Sequence, residues 1–285
     1  MITMTNHRPT IGFIGGGNMA TSLIGGLIKA GYPASDITVS EPEQARRESL
    51  SAEFGIRTCT KNNDVLSSQI IILAVKPQLL KMVCQQLGPA DTDALYISIA
   101  AGIKSTDIDR WLHDGTELAR DQSLAIVRCM PNTPSLLQCG ASGLYANERV
   151  SDTQREQAQS ILEAVGIVSW VETEVQLNAV TAVSGSGPAY YFLMMEAMQQ
   201  AGEKLGLSAE VSRQLVLQTA LGAARMAIEN DISPAELRKM VTSKGGTTEQ
   251  AILSFQSAGF EKIVEQALQA ANDRSISLAD ELGSE

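Results

Sequence analysis

Residues 10–32, TIGFIGGGNMATSLIGGLIKAGY, constrain the fold more than any other stretch of this 285-residue chain. An apolar, β-branched run leads into glycines and then into a helical pattern, with Gly15, Gly17 and Ala20 in the G-x-G-x-x-G/A spacing. Gly15 permits the tight turn, Gly17 lets the backbone approach a pyrophosphate, and Ala20 lets helix and strand pack closely. The helix that follows presents unpaired N–H groups and the positive end of its dipole, so a dinucleotide-binding turn is expected. A second strand ends at Glu41, where such folds place the acid that receives the ribose 2′-hydroxyl. Ser40, Arg46 and Arg47 stand beside it and suit a 2′-phosphate if Glu41 points away, so NADP(H) and NAD(H) both stay open.

The alternation continues. DITVSEP, QIIILAVKP, ALYISIA, LAIVRCMPN and GIVSWVE read as strands, several of them apolar throughout, as parallel strands buried on both faces are. Helix-length segments at 18–30, 43–54, 77–87 and 152–165 lie between them. That succession predicts an α/β fold: an N-terminal Rossmann-type doubly wound sheet over residues 1–172. Ligands of such sheets lie outside the carboxyl ends of the strands, which brings LAVKP (73–77) and IAAG (99–102) to the cofactor. Lys76 is then either near phosphate or nicotinamide, or simply a solvated lysine at a helix start. From 173 to 285 only helical patterns follow, an all-α domain. Tyr190, Tyr191, Phe192, Leu193 and Met194 on one helix, with Leu215 and Leu221 on the next, cover more than one narrow stripe. A helical domain that packs against a second copy of itself is the expectation.

Composition excludes several classes of partner. Lys+Arg number 22 against 32 Asp+Glu, a net charge of -10, which disfavours nucleic acid and anionic membrane surfaces. The longest strongly apolar run, Ile70 to Val75, is far shorter than the roughly 20 residues of a membrane span. Met1 to Pro9 lack the basic start and apolar stretch of a secretory leader, so a soluble, cytoplasmic protein is expected. Cys59, Cys84, Cys129 and Cys139 show no metal-ligand spacing and are too sparse for a disulfide framework, which favours reduced thiols and no metal. Neither histidine suits a general base: His7 sits in the leading tail and His113 at the end of a helical segment.

A second glycine-bearing turn, VTSKGGTTEQA at 241–251, interrupts the helical half. Ser233, Pro234 and Glu236 spell a capped helix leading into it, and another helix begins within Thr247 to Gln250. Gly245 and Gly246 free the backbone to curl, while Ser243, Thr247 and Thr248 add hydroxyls beside the N–H groups of the next helix. This is either an ordinary capped connection or a nest for a small carboxylate.

The segments GFIGGGNMA, LAVKP, AAG, RCMPNTP, AVTAVSGSGPAY and VTSKGGTT occur together and in the order found in pyrroline-5-carboxylate reductases, and the chain resembles that family over nearly its whole length. The resemblance implies hydride transfer from NAD(P)H to the C=N carbon of 1-pyrroline-5-carboxylate, giving L-proline. It also implies a small cyclic imino acid as substrate and a homo-oligomer built from dimers, up to a decamer, with partner-subunit helices completing the active site. By position it assigns cofactor binding to Gly15, Gly16, Gly17, Asn18, Met19 and Ala20, to Ser40 and Glu41, and to Asn62, with Asn63 as the alternative. Ala74, Val75, Lys76 and Pro77, then Ala100, Ala101 and Gly102, complete that set. Substrate carboxylate falls to Ser243, Gly245, Gly246, Thr247 and Thr248, with Thr248 also at the ring nitrogen as the candidate catalytic group. Glu174 and Thr181 fall at the substrate end of the helical domain. Lys244 departs from the proline of many relatives; it loosens the loop and adds a positive charge.

The implied chemistry suits the composition, since an iminium accepts hydride without the strong proton-transfer residue that an alcohol requires. Two other readings compete. A β-hydroxyacid dehydrogenase would need a lysine soon after its helical-domain glycines, but Pro188, Ala189, Tyr190 and Tyr191 follow Gly187 and no lysine appears before Lys204. A non-catalytic NAD(P)-binding sensor would have no use for the second anion nest.

Overall fold

The computed structural model describes residues 8–87, 93–114 and 123–284. In chain order its elements are β1 (Ile11–Ile14), α1 (Asn18–Lys29), β2 (Ile37–Ser40), α2 (Gln44–Phe54), β3 (Arg57–Cys59), β4 (Ile70–Leu73), α3 (Pro77–Leu87), β5 (Leu95–Ser98), α4 (Ser105–His113), β6 (Ala125–Met130), β7 (Gly140–Ala146), α5 (Asp152–Glu163) and β8 (Gly166–Trp170). Helices α6 (Gln176–Val180), α7 (Gly187–Lys204), α8 (Ala209–Glu229), α9 (Pro234–Met240), α10 (Thr247–Ser257) and α11 (Phe260–Ser284) follow. Contacts divide the chain into two units, one running to Ser186 and resuming at Ala271, the other Gly187–Ala270.

The first unit is an eight-stranded sheet of order β3-β2-β1-β4-β5-β6-β7-β8. Every pair is parallel except β6 with β7. Continuous apolar strands are what a sheet covered on both faces requires, and alternate residues do divide between two cores. Phe13, Ile72 and Val127 pack with Leu23 of α1 and Leu162 of α5, while Ile14, Ile71 and Tyr96 pack with Leu80 of α3 and Trp111 of α4. Strand order reverses between β1 and β4, so a crevice opens at their carboxyl ends, the place where sheets of this kind take a nucleotide. The doubly wound N-terminal fold expected from sequence is present.

Two strands escape the sequence pattern. β3 is only three residues long, and β7 is rich in glycine. The glycines of β7 serve packing: a Cβ on Gly143 would lie 2.5 Å from Val180 Cγ1, so α6 rests directly on the strand. The division at 186 also differs from the boundary read at 172. Helical periodicity reports that α6 is a helix, not which layer it covers, and it covers the sheet. The end of α11 likewise belongs to the sheet unit, held by Ser275 Oγ to Asn178 Oδ1 (2.8 Å) and Lys104 Nζ to Asp280 (2.8 Å).

The second unit is all helix. Ser212 is buried and donates to the Gln199 carbonyl (2.8 Å), joining α8 to α7. Ser233 and Glu236 form the expected capping box at α9, with Pro234 in its first turn. Many large apolar side chains of this unit stay exposed in the single chain, among them Phe192, Leu193, Leu215, Tyr191 at 71% and Ile228 at 82%. Exposed apolar surface on that scale marks an interface. Among the described residues no helix is long and apolar enough to cross a membrane.

Candidate functional site

The crevice is built around the first glycine turn. Gly15 has φ +94°, a conformation glycine adopts without strain; its N–H donates to the Ser40 carbonyl (2.8 Å), and a Cβ there would lie 2.7 Å from the Ala74 carbonyl oxygen. The turn thus binds β1, β2 and β4 together at the reversal of strand order. Gly17 is the N-cap of α1, and no side chain caps that helix. A Cβ on Gly17 would meet only an Arg46 guanidinium nitrogen, at 3.9 Å. Uncapped N–H groups of Asn18, Met19 and Ala20 behind an open approach suit a pyrophosphate. Ala20 is buried against the sheet, as its place in the motif requires.

The corner at the end of β2 is more occupied than expected. Glu41 turns toward the glycine turn: its carboxylate accepts from Gly16 N–H (2.8 Å) and Glu43 N–H (3.0 Å). Arg46 donates to the Gly16 carbonyl (3.1 Å), and Arg47 to the carbonyls of Glu41 and Pro42 (both 2.7 Å). Ser40 is buried and donates to Asn62 Oδ1 (2.7 Å), which places Asn62 rather than Asn63 under the corner. Ala74, Val75, Lys76 and Pro77 follow β4, with Lys76 exposed; Ala100, Ala101 and Gly102 follow β5. Both segments therefore stand at the carboxyl edge with the glycine turn.

Glu174 and Thr181 lie in the sheet unit, not with the helices of the second unit. The Glu174 carboxylate accepts from Ser105 N–H (2.6 Å), from Ser105 Oγ (3.1 Å) and from Arg128 (3.1 Å). Lys104, the N-cap of α4, offers no side-chain cap, so Glu174 satisfies that helix end from 69 residues away. Burial pushes the Arg128 guanidinium below its ordinary pKa, and the Glu174 charge beside it works against that shift. Thr181 folds its hydroxyl onto the Leu177 carbonyl (2.8 Å).

Ser243, Gly245, Gly246, Thr247 and Thr248 lie together in the second unit. Gly245 has φ +76°, Gly246 donates to the Ser243 carbonyl (3.0 Å), and Gly246 is the N-cap of α10 without a side-chain cap. The N–H groups of Thr247 and Thr248 open the helix, and both residues are exposed. Gly245 N–H is already taken by a carboxylate of the same chain, Glu249 Oε2 at 2.7 Å. Sequence reasoning missed Glu249 in this role; an acid at the third position of a helix, facing a glycine turn, is the signal that could have found it.

Of the cysteines and histidines, Cys59 ends β3 half-buried beside Ser40, and Cys139 is exposed. Cys84 and Cys129 are buried thiols, each pushed by burial up to about 12. His113 is buried with Nδ1 against the Asp109 carbonyl (2.7 Å), while His7 lies outside the described residues. Among the described residues no cluster of His, Cys, Asp or Glu could hold a metal.

The chain is similar to known proteins in sequence and fold. Residues 174–278 match the family model described as pyrroline-5-carboxylate reductase dimerisation, and residues 10–102 the model described as NADP oxidoreductase, coenzyme F420-dependent. A pyrroline-5-carboxylate reductase of Pseudomonas aeruginosa is 54% identical over 277 residues, covering 96% of this chain and 98% of the relative. The solved structure of a pyrroline-5-carboxylate reductase from Coxiella burnetii is similar with a TM-score of 0.89 at 43% identity, covering 95% of this chain and 98% of that one. A Plasmodium falciparum pyrroline carboxylate reductase, solved with NADP bound, is similar with a TM-score of 0.81 at 28% identity, covering 95% and 98% of the two chains.

Proposed function

The chain belongs to the pyrroline-5-carboxylate reductase family, and from that premise we propose how its own residues carry out the NAD(P)H-dependent reduction of 1-pyrroline-5-carboxylate to L-proline, the last step of proline biosynthesis. The single observation that carries the assignment of the cofactor site is the uncapped start of α1 behind Gly15 and Gly17, with only the tip of the Arg46 side chain near where a Cβ on Gly17 would stand. When bound, NAD(P)H supplies the hydride. The N–H groups of Asn18 to Ala20 would hold its pyrophosphate, the Ser40, Glu41 and Asn62 corner its adenosine ribose, and residues 74–77 and 100–102 its nicotinamide end.

The substrate carboxylate is held by Ser243, Gly246, Thr247 and Thr248, with Gly245, whose N–H is held by Glu249, supplying the bend of the turn, and the Thr248 hydroxyl contacts the ring nitrogen. Fixing the carboxylate decides which face of the ring meets the cofactor, and the rate gain comes from holding donor and acceptor at near-attack distance, roughly 3 to 3.5 Å. A cyclic imine protonates readily, so no histidine is needed to activate it. Family membership sets aside both the hydroxy-acid dehydrogenase and the non-catalytic sensor. The enzyme is a homo-oligomer; its growth from dimers to a decamer, and its place in the cytoplasm, are part of the same proposal. Steady-state assay of the purified protein is the test: NADPH or NADH is consumed only when pyrroline-5-carboxylate is present. Turnover of hydroxy acids with none of the imine would overturn the assignment.

A further inference from the structure

The passage from the sheet to the helical unit is not an ordinary helix. Thr181–Gly185 continues α6 in π-helical geometry, with Ser186 N–H reaching the Thr181 carbonyl at 2.8 Å. Such single turns interrupt regular α-helical hydrogen bonding and are frequent at functional sites. An α-helix would satisfy the Ser184 carbonyl with the N–H of residue 188, but residue 188 is proline and has none. A carbonyl in that position needs another donor.

Asn132 supplies it. Nδ2 donates to the Ser184 carbonyl (3.1 Å), and Oδ1 accepts from Ala141 N–H at the start of β7 (2.9 Å). One partner is an obligate acceptor and the other an obligate donor, so the amide orientation follows from them. The residue is 9% exposed. It stands at the N-cap of the short 3-10 turn Thr133–Leu137, a position where asparagine usually caps, yet it makes no cap. Its side chain serves the π-turn instead. Met130, the last residue of β6, presses on the same turn: a Cβ on Gly185 would lie 2.5 Å from Met130 Cε. Because β6 runs parallel to β5, these two residues hold the turn at the carboxyl edge of the sheet, where the glycine turn and residues 74–77 and 99–102 also lie.

We infer that Asn132 is a positioning residue for hydride transfer: its carboxamide replaces the N–H that Pro188 lacks and so fixes the SGSGP turn at the crevice end of β6. This rests on the reductase reading of the site. The role is distinct from cofactor binding, because neither side-chain hydrogen-bond partner of Asn132, Ser184 or Ala141, is among the residues assigned to the dinucleotide.

Asn132→Asp tests it, since the variant keeps an acceptor for Ala141 N–H and replaces the donor with a second acceptor. NADPH affinity, measured by fluorescence titration, is expected to stay within about twofold, while kcat for the imino acid falls about tenfold or more. Adding Pro188→Ala returns an N–H at position 188, and the double variant is expected to regain most of the kcat of Pro188→Ala alone. If Asn132→Asp does not fold, the double variant is the measurement, with folding and kcat both expected to recover. A folded Asn132→Asp with kcat within about twofold of wild type, or a folded double variant with no recovery, overturns the inference. The wild-type control separates the two readings: no imine turnover by wild type overturns the reductase assignment itself, whereas wild-type turnover with an unaffected Asn132→Asp overturns only the role of Asn132.

Discussion

Thr248 is the second residue of α10, exposed at the mouth of a turn that Gly245 bends through a left-handed conformation. If its hydroxyl meets the ring nitrogen, Thr248→Ala lowers kcat/KM for pyrroline-5-carboxylate by about ten- to a hundredfold, the loss of one or two positioned hydrogen bonds of roughly 1 to 3 kcal/mol. Steady-state kinetics check this, and an unchanged rate removes the hydroxyl from the mechanism. Glu41 poses a different question. Its carboxylate lies on Gly16 N–H with Arg46 beside it, so in the proposed placement of the adenosine ribose it sets a negative charge against a 2′-phosphate. Glu41→Ala is therefore expected to raise kcat/KM with NADPH relative to NADH. The ratio of the two values decides the matter; no change in the ratio means that the carboxylate faces elsewhere when cofactor is bound.

At the scale of elements, α4 depends on a distant residue. Glu174 caps its first turn and pairs with Arg128, whose side chain is 11% exposed. Removing the carboxylate strands a buried cation and an open helix end, so Glu174→Ala is expected to destabilise the protein by about 3 kcal/mol, read as a lowered denaturation midpoint. A raised KM for the imino acid with an unchanged midpoint would instead place Glu174 at the substrate. How far sequence reveals such elements depends on what kind of signal they carry. β1, β4 and β5 were legible because burial on both faces leaves continuous apolar runs, and the glycine turn was legible because strand and helix flank it. β7 was hidden because close packing against α6 required Gly143, and packing of that kind removes the hydrophobic pattern by which strands are read. Periodicity assigned α6 and the end of α11 to helix correctly but says nothing of the layer each covers. Glu174 as a cap from far along the chain and Asn132 on Ser184 are long-range contacts that no local pattern encodes, whereas Glu249 on Gly245 N–H follows a local one, an acid at the third helical position beside a glycine turn.

At the scale of the whole molecule, the helical unit exposes the side chains of Phe192, Leu193 and Leu215 in a single chain, and the family model matching 174–278 is one of dimerisation. A charge at such a position is costly only if a partner covers it. Leu193→Asp is thus expected to shift the protein toward monomer in light scattering and to lower activity about tenfold or more, because burying an unpaired carboxylate costs several kcal/mol; a variant that keeps its mass and its activity would show that this face is not the interface. The reaction proposed for the chain comes down to one event, the passage of hydride to the carbon doubly bonded to the ring nitrogen. NADPH carrying deuterium at the transferring position of its nicotinamide tests that event directly. With pyrroline-5-carboxylate as substrate, the label is expected in proline on the ring carbon next to nitrogen that does not bear the carboxylate, whereas unlabelled proline, or label at any other carbon, would contradict hydride transfer to the imine.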